Sequence, residues 1–245
     1  GTSIEHQKDI LRKGIDILIA TPGRLLDLHK QDIINLDYVE TLVLDEADLM
    51  LDMGFIDDVR KIERLCTKDK QVLLFSATIP HKVEYLANTI LNTPERIEIA
   101  QNSSTSKDVK QLLYYVPKRN KIELCLHVLR NTIKGNIIIF RRTKFGVDKL
   151  EKTLLKNGYK VDSIHGDKSQ TARQDALNKF KKGDINILIA TDVAARGIDI
   201  NELDAVINFD LPNTPETYVH RIGRTARAGH SGTAYSFCSA DEKNY

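Results

Sequence analysis

The sequence predicts an α/β protein built from two parallel-sheet domains, and three observations carry that reading. Short β-branched runs alternate with helix-length amphipathic segments from end to end, the pattern of a parallel sheet covered by helices. A polar stretch, QNSSTSKDVK (101–110), falls where the charge changes sign: residues 1–100 carry 12 Lys+Arg against 18 Asp+Glu, net −6, and residues 101–245 carry 24 against 16, net +8. KGIDILIAT (13–21) returns almost unchanged as KKGDINILIAT (181–191), which points to a duplicated α/β unit whose copies each end a strand at a functional threonine. Short apolar strings also recur by chance. The expected organisation is a first domain over 1–100, a linker over 101–110 and a second domain over 111–245, a division that suits 245 residues of 41% hydrophobic content.

Taken in order, the expected strands are IDILIA (15–20), TLVLD (41–45), QVLLFS (71–76), RIEIA (96–100), LLYYV (112–116), NIIIF (136–140), VDSI (161–164), INILIA (185–190), AVINF (205–209) and TAYSFC (233–238). Each is a short run rich in β-branched or aromatic residues bounded by polar or turn residues. Between them, apolar residues at helical spacing predict helices over 80–92, 119–133, 143–157 and 169–182. Pro80 and Pro215 suit the first turn of a helix, where the missing N–H has no partner to lose.

Composition excludes several classes. No run approaches the roughly 18 apolar residues of a membrane span, and the first residues lack the charged-then-apolar pattern of a secretion signal, so a soluble cytoplasmic protein is expected. The three cysteines, Cys66, Cys125 and Cys238, are far apart and form no CxxC pair, which argues against a disulfide framework or a zinc site and for core thiols. The basic half is where a polyanion would touch, although ordinary solvated lysines explain part of the excess.

In doubly wound sheets, ligands bind at the carboxyl ends of strands, where loops and helix N-termini gather backbone N–H groups. Polar stretches stand at such places: ATPGR (20–24), DEAD (45–48), SAT (76–78) and ATDVAARGIDI (190–200) follow strands, and YVHRIGRTARAG (218–229) begins late in a helix. Asp45 and Glu46, adjacent at a strand end, are placed as a nucleotide-hydrolysing enzyme presents groups to magnesium and to an attacking water. Alone, such a pair is more often a cap or a surface pair. The order and spacing of all five signals together raise the functional reading above the bland one.

With TPGR, DEAD, SAT, HGDKSQTAR, ATDVAARGID and HRIGRTARAG in that order, the chain resembles the DEAD-box RNA helicases of superfamily 2, and LDMGF and FRRTKFG resemble the bacterial RhlE-type group. The resemblance implies two RecA-like domains, ATP and Mg²⁺ as cofactors and RNA as partner. It implies that Asp45 holds Mg²⁺, usually through water, and that Glu46 orients the hydrolytic water. Arg221 and Arg224 would reach the γ-phosphate, with Arg224 the better arginine finger, while Asp199 would contact the ribose beside Gly197. Asp48, Ser76 and Thr78 would couple nucleotide state to domain position, with His220 either the family's coupling histidine or a structural one. Pro22, Gly23, Arg24, Gln170, Arg173, Thr191 and Asp192 would grip the RNA backbone without reading its sequence.

Three elements of the resemblance are missing: G-x-x-x-x-G-K-[ST], the upstream glutamine motif and a PTREL block occur nowhere in the 245 residues. A fragment is therefore expected, with an incomplete first domain, exposed sheet edges, a better-folded region over 110–245 and little ATPase activity of its own. Ala226, where many members carry glycine, is a minor departure. Two alternatives stand beside the helicase: a passive RNA- or protein-binding module, and a DNA-directed enzyme, which the DEAD form of the carboxylate motif disfavours.

Overall fold

The computed structural model describes residues 4–98, 109–195, 198, 200, 203–225 and 232–243. The chain divides into two compact units, Thr2–Glu98 and Ile99–Tyr245, each described below by itself. No helix among the described residues is long and apolar enough to cross a membrane, and all three cysteines are buried and unpaired.

The first unit runs α1 (Ile4–Leu11), α2 (Pro22–Lys30), β1 (Thr41–Leu44), α3 (Ala47–Asp52), α4 (Ile56–Leu65), β2 (Gln71–Leu74) and α5 (His81–Ile90). Pro22 is the first residue of α2, and Thr21 before it is extended, as a residue preceding proline must be. In α4, Val59 and Ile62 turn inward, Asp57 and Asp58 sit in the first turn and Arg64 in the last, the charge order a helix dipole favours. β1 and β2 pair in parallel from Thr41↔Gln71 to Leu44↔Leu74. Leu44, Val59, Leu86 and Ile90 form a core beneath them, and Leu36, Ile62 and Cys66 form a second one that takes Leu25 and Leu26 from α2.

Two expectations fail in this unit. Residues 15–20 are not a strand, and Ile17 and Ile19 are 82% and 93% exposed. Residues 96–98 are likewise unpaired, with Ile97 exposed, while 99 and 100 lie outside the described residues. The physical reason is that β propensity describes fit to a pleated, half-buried surface, and neither run has a neighbouring strand among the described residues. A smaller correction concerns Pro80, which is extended and stands just before α5 rather than within its first turn.

The second unit begins with β3 (Val109–Tyr115), so Val109 and Lys110, expected in the linker, already pair with Gly232 and Thr233. Residues 101–108 lie outside the described residues. There follow α6 (Lys121–Asn131), β4 (Ile137–Phe140), α7 (Lys144–Lys156), β5 (Val161–Ile164), α8 (Gln170–Lys182), β6 (Ile187–Ala190), the short α9 (Asp192–Ala195), β7 (Ala205–Asn208), α10 (Pro215–Ile222), β8 (Gly232–Cys238) and a 3₁₀ turn, Ala240–Glu242. The sheet is parallel throughout, in the order β3-β8-β7-β4-β6-β5.

Strand period explains how both faces are covered. Ile137, Ile139, Ile187, Ile189, Ala205 and Ile207 point to one side and pack with Cys125, Val128 and Leu129 of α6 and Val147, Leu150 and Leu154 of α7. Ile138, Phe140, Leu188, Ala190 and Val206 point to the other and pack with Ala176 and Phe180 of α8. Burying one such side chain contributes about 1.5–3 kcal/mol, which is why β4 and β6 read as unbroken apolar runs. Helix ends are set locally: Thr143 and Ser169 accept hydrogen bonds from Gly146 N–H and Ala172 N–H, and α8 ends on Gly183 in the left-handed region. Pro215 occupies the first position of α10, as its sequence suggested.

Candidate functional site

In the first unit five of the candidate residues, Asp45, Glu46, Asp48, Ser76 and Thr78, lie just past the carboxyl ends of β1 and β2. The chain leaves buried Leu44 and exposes Asp45 and Glu46. Glu46 takes φ 53° and ψ 51°, a left-handed conformation that a non-glycine residue adopts only where neighbouring contacts hold it. Those contacts are present. Its N–H donates to Asp45 Oδ1 (2.9 Å), and the next N–H, of Ala47, donates to the carbonyl of Phe75 at the end of β2 (3.0 Å), so α3 starts against the neighbouring strand.

Asp48 then turns inward. Its carboxylate accepts from Thr78 N–H (3.0 Å) and Thr78 Oγ1 (2.9 Å) at Oδ2 and from Leu49 N–H (3.0 Å) at Oδ1. The Asp48 N–H donates to Ser76 Oγ (3.1 Å), which donates in turn to the Thr78 carbonyl (2.6 Å). Three donors on one buried carboxylate offset its desolvation. Asp48, Ser76 and Thr78, expected to act together, thus form one closed seam directly behind Asp45 and Glu46. Thr78→Val, which removes a single donor, is expected to weaken this seam by about 1–2 kcal/mol, read as roughly 5–30-fold faster amide exchange at Asp48 and Thr78. Unchanged exchange would mean that the hydroxyl contributes nothing there.

Pro22, Gly23 and Arg24 open α2. A Cβ built on Gly23 would meet nothing within 4 Å, so a ligand backbone could approach closely, and Arg24 is held loosely by Asp27 (3.3 Å).

In the second unit the centre is Arg221, in the last turn of α10 and 2% exposed. Its Nε and Nη2 donate to the two oxygens of Asp192 (2.6 and 2.7 Å), its Nη1 donates to Asn208 Oδ1 (3.1 Å) and the Asp210 carbonyl (2.7 Å), and its Cζ lies 4.9 Å from the Phe140 ring centre. Arg221 was expected to present itself to a γ-phosphate and Asp192 to RNA; here the two hold each other in a fork-to-fork pair. Arg224 is half-buried, its Nη1 donating to the Ile198 carbonyl (3.0 Å). His220 is exposed, Thr191 and Asp192 follow β6, and Gln170 and Arg173 lie one turn apart at the start of α8. Gly197 and Asp199, expected at the ribose, lie outside the described residues, as does Ala226.

Asn208 was not anticipated. It is fully buried in β7, donates to Ser236 Oγ (3.1 Å) and orients Arg221. Its signal was available as the one amide in the apolar run AVINF. His165, within HGDKSQTAR, is buried and hydrogen-bonded through Nε2 to Asp148 Oδ1 (3.0 Å), which ties the end of β5 to α7.

Comparison with known proteins identifies the family. Residues 1–86 match the DEAD/DEAH box helicase family and residues 120–229 the helicase conserved C-terminal domain. A hypothetical ATP-dependent RNA helicase from Sulfolobus tokodaii is 36% identical, covers 100% of this chain and is itself covered over 71%, with a TM-score of 0.54. The chain belongs to the DEAD-box RNA helicase family. Another member, the ATP-dependent RNA helicase CshA of Listeria monocytogenes, is 43% identical over 245 residues, 100% of this chain and 47% of CshA. The chain therefore spans about half the length of that relative. S. cerevisiae Dbp5 bound to RNA and ADP BeF3 matches with a TM-score of 0.79 and 36% identity over 90% of this chain and 59% of Dbp5. The two α/β units are the RecA-like folds of this DEAD-box family, as their parallel sheets suggested.

Proposed function

We propose that this chain is part of an ATP-dependent RNA helicase, with the first unit contributing the later portion of the ATP-binding domain and the second unit the helicase C-terminal domain. The observation that carries the reading is the exposed Asp45–Glu46 pair at the end of β1, followed by the part-buried Asp48–Ser76–Thr78 seam that ties the start of α3 to the chain after β2. Hydrolysis of an anhydride needs charge neutralisation and a positioned nucleophile more than covalent chemistry, and two adjacent carboxylates on a rigid turn suit both tasks.

The residues fit magnesium in a particular way. Among the described residues no group of three or more His, Cys, Asp or Glu could hold a metal unaided, whereas Mg²⁺ characteristically takes one or two carboxylates together with water and substrate phosphates. Asp45 would hold the ion, which when bound neutralises phosphate charge, and Glu46 would orient water. Arg224, rather than the enclosed Arg221, is the residue proposed to meet charge on the transferred phosphoryl group. The RhlE-type subgroup and a cytoplasmic location belong to the same reading, the latter supported by three buried, unpaired cysteines.

RNA would lie along Pro22, Gly23 and Arg24 in the first unit and Gln170, Arg173 and Thr191 in the second, through phosphate and 2′-OH contacts. The test is fluorescence anisotropy of this chain with a single-stranded RNA over a salt series. Arg24→Ala and Arg173→Ala are each expected to weaken binding uniformly across sequences and to lower the salt slope by about 1. Slopes unchanged in both variants, or equal competition from duplex DNA, would overturn the RNA assignment. The engagement of Arg221 by Asp192 also favours a second reading, a module that binds RNA without hydrolysis, and binding indifferent to an ATP analogue would select it.

A further inference from the structure

Phe145 is an apolar ring at the polar end of the second unit's sheet. Phe140, Ala190 and Ile164, the last residues of β4, β6 and β5, lie side by side in register, so the chain that follows each of them emerges at the same end. The ladder carries on past the strands, with Arg141 N–H donating to the Ala190 carbonyl (2.9 Å) and Thr191 N–H to that of Ile164 (3.3 Å). Because β6 lies between β4 and β5, Thr191 follows the strand between those that lead to segments 141–146 and 165–170. The second of these segments ends on Gln170, the first residue of α8; the first contains Phe145, which is 75% exposed.

FRRTKFG (140–146) sets that ring on a rigid turn. Thr143 accepts from Gly146 N–H at its Oγ1 (3.1 Å) and from Val147 N–H at its carbonyl (3.0 Å), and Val147 and Leu150 are fully buried, so α7 is fixed from its first turn. The Lys144 Nζ lies 5.4 Å from the ring centre and pairs with Asp167 Oδ2 (2.6 Å) in the loop before α8. One ion pair thus joins the turn that carries Phe145 to the loop that leads into Gln170. Single exposed apolar side chains are ordinary on a protein surface, and Tyr115 is of that kind: it ends β3, the outer strand, with β8 and β7 between it and β4. Phe145 differs in emerging where Thr191 and Gln170 do and in carrying a cation on its ring.

We propose that Phe145 is a base-stacking platform: it receives one unstacked nucleobase of the single-stranded RNA assigned above to Gln170, Arg173 and Thr191. The inference rests on that RNA reading and adds to it a contact with a base. A ring held on a fixed helical turn stacks any of the four bases, so the contact is tolerant of sequence and is worth about 5–150-fold in affinity. Stacking displaces no counterion, so it strengthens binding without adding to the salt dependence that the backbone contacts produce.

The test is fluorescence anisotropy of the full chain with a short single-stranded RNA over a salt series. Phe145→Ala is expected to weaken binding at least about 5-fold with the salt slope unchanged, whereas Arg173→Ala lowers that slope by about 1. Phe145→Tyr should match wild type, and Phe145→Leu, apolar but without a π face, should behave as Phe145→Ala. An RNA with one abasic nucleotide, moved through successive positions, should at one position lose the same factor against wild type and nothing against Phe145→Ala. Amide exchange in α7 should be the same in all variants. Unchanged affinity of Phe145→Ala, equal binding by Phe145→Leu and wild type, a salt slope that falls with the ring, or an abasic loss common to wild type and Phe145→Ala would each overturn the platform. A response to Arg173→Ala without one to Phe145→Ala refutes the platform and leaves the RNA assignment standing; no RNA binding by wild type refutes both.

Discussion

Lys121→Met is expected to destabilise the second unit by about 3 kcal/mol, the lower end of the 3–5 kcal/mol typical when one partner of a buried ion pair is removed. Lys121 is 1% exposed at the start of α6. Its Nζ donates to Glu242 Oε2 (2.5 Å) and to the Phe209 carbonyl (2.8 Å) and lies 4.0 Å from Asp210 Oδ1. Glu242 also accepts from Arg142 Nη2 (3.2 Å), Leu211 N–H (3.1 Å), and the Ser239 N–H and Oγ (3.0 and 2.8 Å). Those remaining donors keep the loss to the lower end, since the carboxylate is not left wholly unpaired. Lys121→Met combined with Glu242→Leu should recover much of the stability, because no buried charge is then stranded. Amide exchange in β4 and β7 of the full chain measures both variants, and a loss below about 1 kcal/mol in the single variant would show the pair to be dispensable.

The same pair predicts a pH dependence. Burial works against the charge of Glu242, but the Lys121 ammonium and the Ser239 donors more than offset it, so its carboxyl lies below the ordinary glutamate range. A depressed folded-state pKa contributes stability that is full above the unfolded value and is lost as pH falls through the folded one. The gap between wild type and Lys121→Met should therefore be widest near neutrality and close under acid. A gap that widened on acidification would contradict the assignment.

Arg221→Ala is the second large effect, expected at about 2–4 kcal/mol. It strands Asn208 Oδ1 in the core, where an unsatisfied acceptor costs about 1–3 kcal/mol, and opens a void beside Phe140. Asp192, partly exposed, can rehydrate and softens the loss. Arg221→Lys keeps the charge but loses the fork that matches both oxygens of Asp192, so it should restore less than half of the deficit. Amide exchange at β7 and α10 reads the result, and equal stability of the two variants would show that the planar geometry is unimportant.

Much of this molecule is visible in residue order because the determining physics is local or periodic. β4 and β6 are buried on both faces, so their sequences are continuous apolar runs, and β7 departs from one only at Asn208. β3 is an edge strand with alternating exposure, and Val109 and Lys110 at its start look like linker until Gly232 and Thr233 pair with them. Asp45, Glu46, Asp48, Ser76 and Thr78 were found from motif order, and the structure joined the last three through named hydrogen bonds. Lys121 reads as an ordinary solvated lysine at a helix start, and only chain separated from it by 88 and 121 residues makes it a buried ion.

Residue order alone determined the α/β class, the parallel strands of the second unit and the places where polar groups follow strands, since these depend on side-chain period and local backbone preference. Tertiary structure decided that IDILIA has no strand partner among the described residues while INILIA is buried, that Arg221 is closed upon Asp192, and that Lys121 and Glu242 share a core. The reason is common to all three: a ladder, a desolvated charge and a fork each need a partner distant in sequence, and nothing in the run itself specifies whether that partner arrives.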